Sequence, residues 1–123
     1  MILSLDYGGE VPIYQQLRNQ IVLGIAEGKL APGEKLPTIR ALALELGINM
    51  MTVSKAYQTL KQEGYIISDR RSGAMVAPKT EEGAALEKLT AGMRLLVAEA
   101  RVAGISEDTV VEICRKLFQE REE

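Results

Sequence analysis

The chain has 123 residues, of which 46% are hydrophobic and 26% are charged, with one cysteine and no histidine. This composition is typical of a small globular domain. It excludes an internal disulfide, a zinc site with the usual nitrogen and sulfur ligands, and catalysis by serine–histidine or cysteine–histidine pairs within one chain. The net charge is −2, but residues 1–79 carry nine basic and seven acidic residues, whereas residues 80–123 carry six and ten.

No segment approaches the roughly 20 apolar residues that span a bilayer, and the first residues lack the pattern of a signal peptide. The single cysteine, Cys114, fits a reducing compartment, and we interpret it as a small buried hydrophobic residue. We therefore expect a cytoplasmic protein with no membrane partner.

No motif for a cofactor or a metal ion is found in the sequence, and no plausible nucleophile–base pair, so an enzyme is not expected.

The first predicted helix begins near Pro12, because proline suits the first turn of a helix. Its apolar residues recur at every fourth position, as Ile13, Leu17, Ile21 and Ile25. Gly28 predicts its end. Tyr14 in this helix is interpreted as a core or boundary aromatic.

Two further helices follow at close spacing. Thr38 is a plausible N-cap of the second helix, and Gly47 ends it. Asn49 is the next good N-cap, and the third helix stops at Gly64. The apolar residues of the third helix recur on one face, which predicts a core position for each: Val53, Ala56, Tyr57 and Leu60. Two short helices joined by a tight turn that contains glycine are typical of a helix-turn-helix.

The pattern then changes to that of strands. Residues 65–67 and 75–76 are short β-prone runs, and residues 68–74 between them are polar and contain Gly73. This arrangement predicts a β-hairpin. A hairpin directly after the second helix of the unit makes it a winged helix.

Helical periodicity returns after residue 79. One set of apolar residues has a period of 3.5 residues, and we call it the apolar seam: Leu86, Leu89, Met93, Leu96, Ala100 and Ala103. Gly104 ends this helix, and Ser106 would cap another. The apolar face of that last helix consists of Val110, Ile113, Cys114, Leu117 and Phe118.

A series of short segments between residues 12 and 76 forms a pattern in a fixed order: PIYQQL at 12–17, GKL at 28–30, PGEKLP at 32–37, Arg40 with Leu42 and Ala43, LGIN at 46–49, TVSKAY at 52–57, Leu60, Glu63 with Gly64, and Gly73. In these segments the chain resembles the GntR family of bacterial regulators. The helical segment after the wing is similar to the two-helix arm of the YtrA-like subfamily, whose members often control membrane-transporter genes.

The resemblance implies a winged helix-turn-helix DNA-binding domain at residues 1–78 and a helical dimerisation arm at 79–123. It also implies a transcriptional regulator, most simply a repressor, that binds double-stranded operator DNA as a homodimer. Two alternatives are a protein-interaction module and a non-specific architectural DNA-binding protein. The net charge speaks against the second, because such proteins depend on phosphate contacts.

The DNA contacts expected from this interpretation lie on three elements. In the third helix they are the polar residues Asn49, Thr52, Ser54, Lys55 and Gln58; in the second helix they are Thr38 and Arg40; at the hairpin tip they are Arg70, Arg71, Ser72 and Gly73. For Arg40 the alternative is a surface arginine that pairs with Glu45. For Asn49 it is helix capping alone.

Met50 and Met51 depart from the family, which usually has polar residues there. We favour the interpretation that one of them packs against the wing or the second helix. The alternative is apolar contact with a thymine methyl group.

The predicted dimer contacts are the arm residues Leu86, Leu89, Met93, Leu96, Ala100, Val110, Ile113, Leu117 and Phe118. The alternative is that these residues fold back onto the winged helix. A small-molecule effector of unknown identity would bind at the dimer interface or between the arm and the winged helix, because the arm alone offers little room for a pocket.

Overall fold

The computed structural model describes residues 4–69, 73–78 and 82–120. Its elements are, in chain order, α1 (Ile13–Ala26), α2 (Ile39–Leu46), α3 (Met50–Glu63), β1 (Ile66–Asp69), β2 (Gly73–Val76), α4 (Glu82–Val102) and α5 (Glu107–Gln119). The predicted fold class, mainly helical with one small hairpin, is confirmed. The chain divides into two compact units, Met1–Thr80 and Glu81–Glu123, which we call the winged-helix unit and the arm.

The winged-helix unit is built around one apolar core between α1, α2, α3 and the hairpin. The buried residues include the four that the periodicity of α3 predicted: Val53, Ala56, Tyr57 and Leu60. From the other elements they are Leu17, Ile21, Leu30, Leu36, Leu42, Ala43, Ile66, Ala74 and Val76. Because one face of α3 is fixed in this core, its opposite face is held at a defined place on the surface.

The predicted caps set the bounds of α2 and α3. The hydroxyl oxygen of Thr38 accepts a hydrogen bond from the backbone N–H of Ala41 at 3.1 Å. The side-chain oxygen of Asn49 accepts one from the backbone N–H of Met51 at 2.7 Å. Gly47 ends α2 with a φ of 68°, a backbone conformation that glycine adopts without a steric penalty. The turn between the helices is therefore short and rigid.

The hairpin has a partner that the sequence did not predict. β1 and β2 are antiparallel, with Ile66 opposite Val76. The segment before α2 lies along the other side of β2, where the N–H of Gly33 donates to the carbonyl of Val76 and the N–H of Leu36 donates to that of Ala74, each at 2.9 Å. This pairing ties the start of α2 to the wing.

An ion pair joins α1 to the end of α3. The guanidinium of Arg18 donates two hydrogen bonds to the Glu63 carboxylate, each at 2.9 Å, and lies 5.5 Å from the centre of the Tyr65 ring. Such a bidentate, partly buried pair has a more fixed geometry than an ordinary surface salt bridge. It helps to fix the direction of α3 relative to α1.

The arm consists of α4 and α5. The hydroxyl of Ser106 caps α5 by accepting a hydrogen bond from the N–H of Thr109 at 3.2 Å, as predicted. No described residue of α4 or α5 is buried within a single copy of the chain. The arm, as far as the structure describes it, therefore lacks a core of its own.

The helices in the described parts of the chain are all too short or too polar to cross a lipid bilayer.

Candidate nucleic-acid interface

The side of α3 that faces away from the core carries the polar residues predicted to contact DNA. Asn49, Ser54, Lys55 and Gln58 are exposed, and Thr52 is partly buried. These side chains project from a rigid helix whose other face is packed in the core. A single helix presented in this way fits the major groove of B-DNA, where base edges differ in their donors and acceptors.

Arg40 lies in the first turn of α2 and is exposed. Within the described ranges it forms no salt bridge to Glu45 and no other ion pair. Together with Leu44, Ile48 and Met50, it lines a shallow concavity between α2 and α3. The structure thus brings Arg40 to the same surface as the first turn of α3, with its guanidinium available to a ligand.

The two methionines at the start of α3 differ in their surroundings. Met50 is 46% exposed and faces the concavity beside α2, whereas Met51 is 76% exposed. Met50 therefore agrees with the favoured interpretation, in which one of the two methionines packs against α2. Met51 is the other one, and it is exposed.

Tyr57 connects α3 to the start of α2. Its ring is buried in the core, and its hydroxyl donates a hydrogen bond of 2.7 Å to the carbonyl of Pro37. Because Pro37 directly precedes the capping residue Thr38, this bond fixes the position of the start of α2, and with it the position of Arg40 in the first turn. Burial raises the pKa of Tyr57 above its ordinary value.

Replacing Tyr57 with phenylalanine is expected to lower the free energy of unfolding at pH 7 by about 1 kcal/mol, because one hydrogen bond is lost and the ring is kept. In the wild type, the unfolded chain would lose the Tyr57 proton near pH 10, before the folded chain does, so the stability falls as the pH rises above about 10. The variant lacks this contribution. Urea unfolding of both proteins at pH 7 and pH 11 measures the two effects. If both proteins lose the same free energy of unfolding between pH 7 and pH 11, the contribution of Tyr57 to the pH dependence is contradicted.

A contact between α1 and α3 lies beside this interface. The ammonium group of Lys55 is 4.1 Å from the centre of the Tyr14 ring. Pro12, Tyr14, Met51, Lys55 and Gln58 line one concave surface between the start of α1 and the outward face of α3. Sequence reasoning placed Tyr14 in the core or at its boundary. It missed the contact with Lys55, because Lys55 lies 41 residues further along the chain.

Replacing Tyr14 with leucine is expected to weaken DNA binding about twofold to fivefold, because an exposed cation–π contact of about 0.5–1 kcal/mol holds Lys55 in place. Tyr14→Phe keeps the ring and should bind like the wild type. Fluorescence anisotropy with one labelled duplex measures both, after thermal melts confirm that the variants fold. If phenylalanine weakens binding as much as leucine does, the hydroxyl group acts and the ring does not.

The predicted wing contacts fall mostly outside the described residues. Arg70, Arg71 and Ser72 lie between the described ranges, and only Gly73 is placed, at the start of β2 with a φ of 87°. Contact of the wing with DNA therefore stays a prediction.

Six of the nine predicted dimer residues of the arm are exposed in a single copy. The exposed fractions are 57% for Leu86, 60% for Leu89 and Leu96, 48% for Ile113, 59% for Leu117 and 89% for Phe118. Met93, Ala100 and Val110 are partly buried and line a groove between α4 and α5. The winged-helix unit thus has a complete core, whereas the arm presents its apolar residues to solvent.

Cys114 also lines the groove between α4 and α5 and is partly exposed. The prediction that it is buried is wrong for a single copy, because α5 packs only lightly on α4.

The groove, about 960 Å³ in volume, is also larger than the sequence suggested. Val97 on α4 and Val111 on α5 line it as well, although the apolar seam did not include Val97.

Two comparisons with known proteins, one with a family model and one with an individual relative, agree with the resemblance seen in the sequence. A family model described as bacterial regulatory proteins of the gntR family matches residues 11–76. The HTH-type transcriptional repressor YtrA of Bacillus subtilis (strain 168) is 32% identical over 107 residues, which cover 85% of this chain and 82% of that protein.

Two solved structures are similar in fold. YtrA from Sulfolobus acidocaldarius, a GntR-family transcription factor, is 36% identical, with a TM-score of 0.71, and the match covers 83% of this chain and 99% of that one. The AraR DNA-binding domain in complex with operator ORX1 is 30% identical, with a TM-score of 0.55, and the match covers 61% of this chain and 96% of that one.

Proposed function

The chain belongs to the GntR family of DNA-binding transcriptional regulators, and on that premise we propose that it is a repressor that binds a pseudo-palindromic operator as a homodimer. The observation that carries the proposal is the surface shared by α2 and α3. There the exposed guanidinium of Arg40 lies beside the first turn of a helix whose outward face is polar. In this proposal α3 enters the major groove, Arg40 reads a guanine, and Lys55 contacts a phosphate.

The homodimer is supported by the exposed arm. Apolar side chains on α4 and α5 that remain in water make a monomer unfavourable, and a second copy would bury them in a two-fold interface. Two reading helices related by a two-fold axis would address half-sites whose centres are about 34 Å apart or a multiple of that distance.

Repression is supported by the similarity to the B. subtilis repressor YtrA. The same subfamily resemblance supports control of an operon for a membrane transporter. Both are proposals for this chain, because they depend on where its operator lies relative to a promoter.

The test is fluorescence anisotropy of the purified protein with a fragment from upstream of its own gene and with scrambled DNA, at two salt concentrations. A preference of about 10³-fold for one sequence supports the operator-binding function. Equal, strongly salt-dependent binding to both fragments, persisting across a genome-wide selection, would indicate an architectural DNA-binding protein. Absence of binding to every fragment, even at low salt, would favour a protein-interaction module.

An effector would act through the groove between α4 and α5. Its volume of about 960 Å³ is at the upper end of ordinary ligand pockets, and its lining is mostly apolar. A small molecule bound there would change how the partner's helices pack, and with them the spacing of the two reading helices. Operator affinity measured against a panel of apolar metabolites tests this proposal, and unchanged affinity throughout the panel would count against it.

A further inference from the structure

Met51 is the most exposed of the large apolar side chains of α3. It lies in the first turn of α3 and is 76% exposed, and the capping bond from its backbone N–H to Asn49 fixes where that turn begins. We propose that Met51 reads the C5 methyl group of a thymine in the operator. The proposal rests on the DNA-binding function proposed above and adds a specificity-determining residue to it.

Helical geometry places Met51 among the candidate DNA contacts. Met51, Lys55 and Gln58 are spaced by four and three residues, so they form one stripe along α3. The core residues Val53 and Leu60 project from the opposite side of the helix, where they are fully buried. All three residues of the stripe line the same concave surface. A duplex in contact with Lys55 and Gln58 would therefore also meet Met51.

Met50 does not share this position. It is about 100° away from Met51 around the helix and faces the concavity beside Leu44 and Ile48 of the neighbouring helix and turn. Its smaller exposed fraction, 46% against 76%, agrees with that placement. The two adjacent methionines thus have different roles, and Met50 serves as a matched control.

The chemistry of the major groove identifies the partner of Met51. A thioether is a weak hydrogen-bond acceptor and no donor, so it discriminates poorly among the donors and acceptors of the base edges. The methyl group of thymine is the apolar group that those edges present. Methionine is flexible enough to follow such a group, and contact would remove both surfaces from water. Contact of this kind distinguishes thymine from cytosine and from uracil.

The probe is the tightest-binding duplex recovered by selection from a random-sequence pool, resynthesised with single thymines replaced by deoxyuridine, which lacks only the methyl group. The full-length wild type should bind about fourfold more weakly when the contacted thymine is replaced in one half-site. Met51→Ala removes the side chain from both subunits of the dimer, so it should bind the thymine duplex about as weakly as the wild type binds a duplex with that thymine replaced in both half-sites, that is, about 16-fold more weakly. It should lose no further affinity on replacement of that thymine.

The control is Met50→Ala, which should keep the fourfold discrimination between thymine and deoxyuridine. Thermal melts establish that both variants are folded. The proposal is overturned if no replaced thymine weakens wild-type binding, or if Met51→Ala distinguishes thymine from deoxyuridine as the wild type does. It is also overturned if Met50→Ala, and not Met51→Ala, loses that discrimination. Failure of the selection to enrich any sequence would be a different result, because it would contradict the proposed operator-binding function itself.

Discussion

Replacing Arg40 with alanine is expected to weaken operator binding by about 30-fold or more while leaving the fold intact. A bidentate arginine–guanine contact gives about 1–3 kcal/mol of discrimination, and a dimer would lose one contact in each half-site. The side chain is exposed and forms no ion pair with the described residues, so its removal should cost little stability. Anisotropy titrations with operator and scrambled duplexes measure the loss.

The matched control is Arg40→Lys, which keeps the charge but not the planar pair of donors. It should bind scrambled DNA with the wild-type salt dependence and yet lose much of the preference for the operator. If lysine restores full preference, Arg40 acts as a point charge on a phosphate. If the alanine variant keeps wild-type preference, the surface formed by α2 and α3 does not read the operator through this residue.

The double substitution of Leu89 and Leu96 by glutamate is expected to convert a dimer into monomers. Both leucines belong to the apolar seam and are 60% exposed in a single copy, so charged side chains there would disfavour association without opening a buried core. Sedimentation should show the mass falling from twice 13.5 kDa to 13.5 kDa. Operator affinity should fall about 100-fold or more, because the two reading helices would no longer be linked.

Leu95→Glu is the control for that experiment. Leu95 is on the same helix and is 65% exposed, but at about 100° per residue it lies about 120° around α4 from the centre of the seam. Its substitution should leave the dimer and its operator affinity unchanged. Monomers from Leu95→Glu, or dimers that persist in the double variant, would show that another face of α4 forms the interface.

The helix starts in both units were predictable because their signals are local. Thr38, Asn49 and Ser106 cap helices through bonds to backbone groups two or three residues away, so the sequence around each contains the whole interaction. The four core positions of α3 follow from periodicity in the same way. The exposure of Arg40 on the polar side of α2 also agrees with the sequence.

What the sequence did not reveal depends on distant partners. The contact of Lys55 with Tyr14, the bond from Tyr57 to Pro37, and the pairing of residues 33–36 with β2 join segments separated by about 20 to 40 residues. Residues 33–36 form too short a segment to show the alternation of apolar and polar residues that is typical of a strand. The different surroundings of Met50 and Met51 likewise arise from where α2 lies, which periodicity within α3 does not encode.

None of the arm residues that the structure describes is buried in a single copy, and this has a consequence for how the protein responds to its own abundance. The winged-helix unit has a core and should unfold at a temperature independent of protein concentration, whereas a helical pair that acquires its core only from a second copy should melt at a temperature that rises with concentration. At low copy number the arm would be unfolded and the chains separate. Because pairing requires two chains, occupancy of the operator would rise approximately with the square of the chain concentration, giving a threshold in gene control without any ligand.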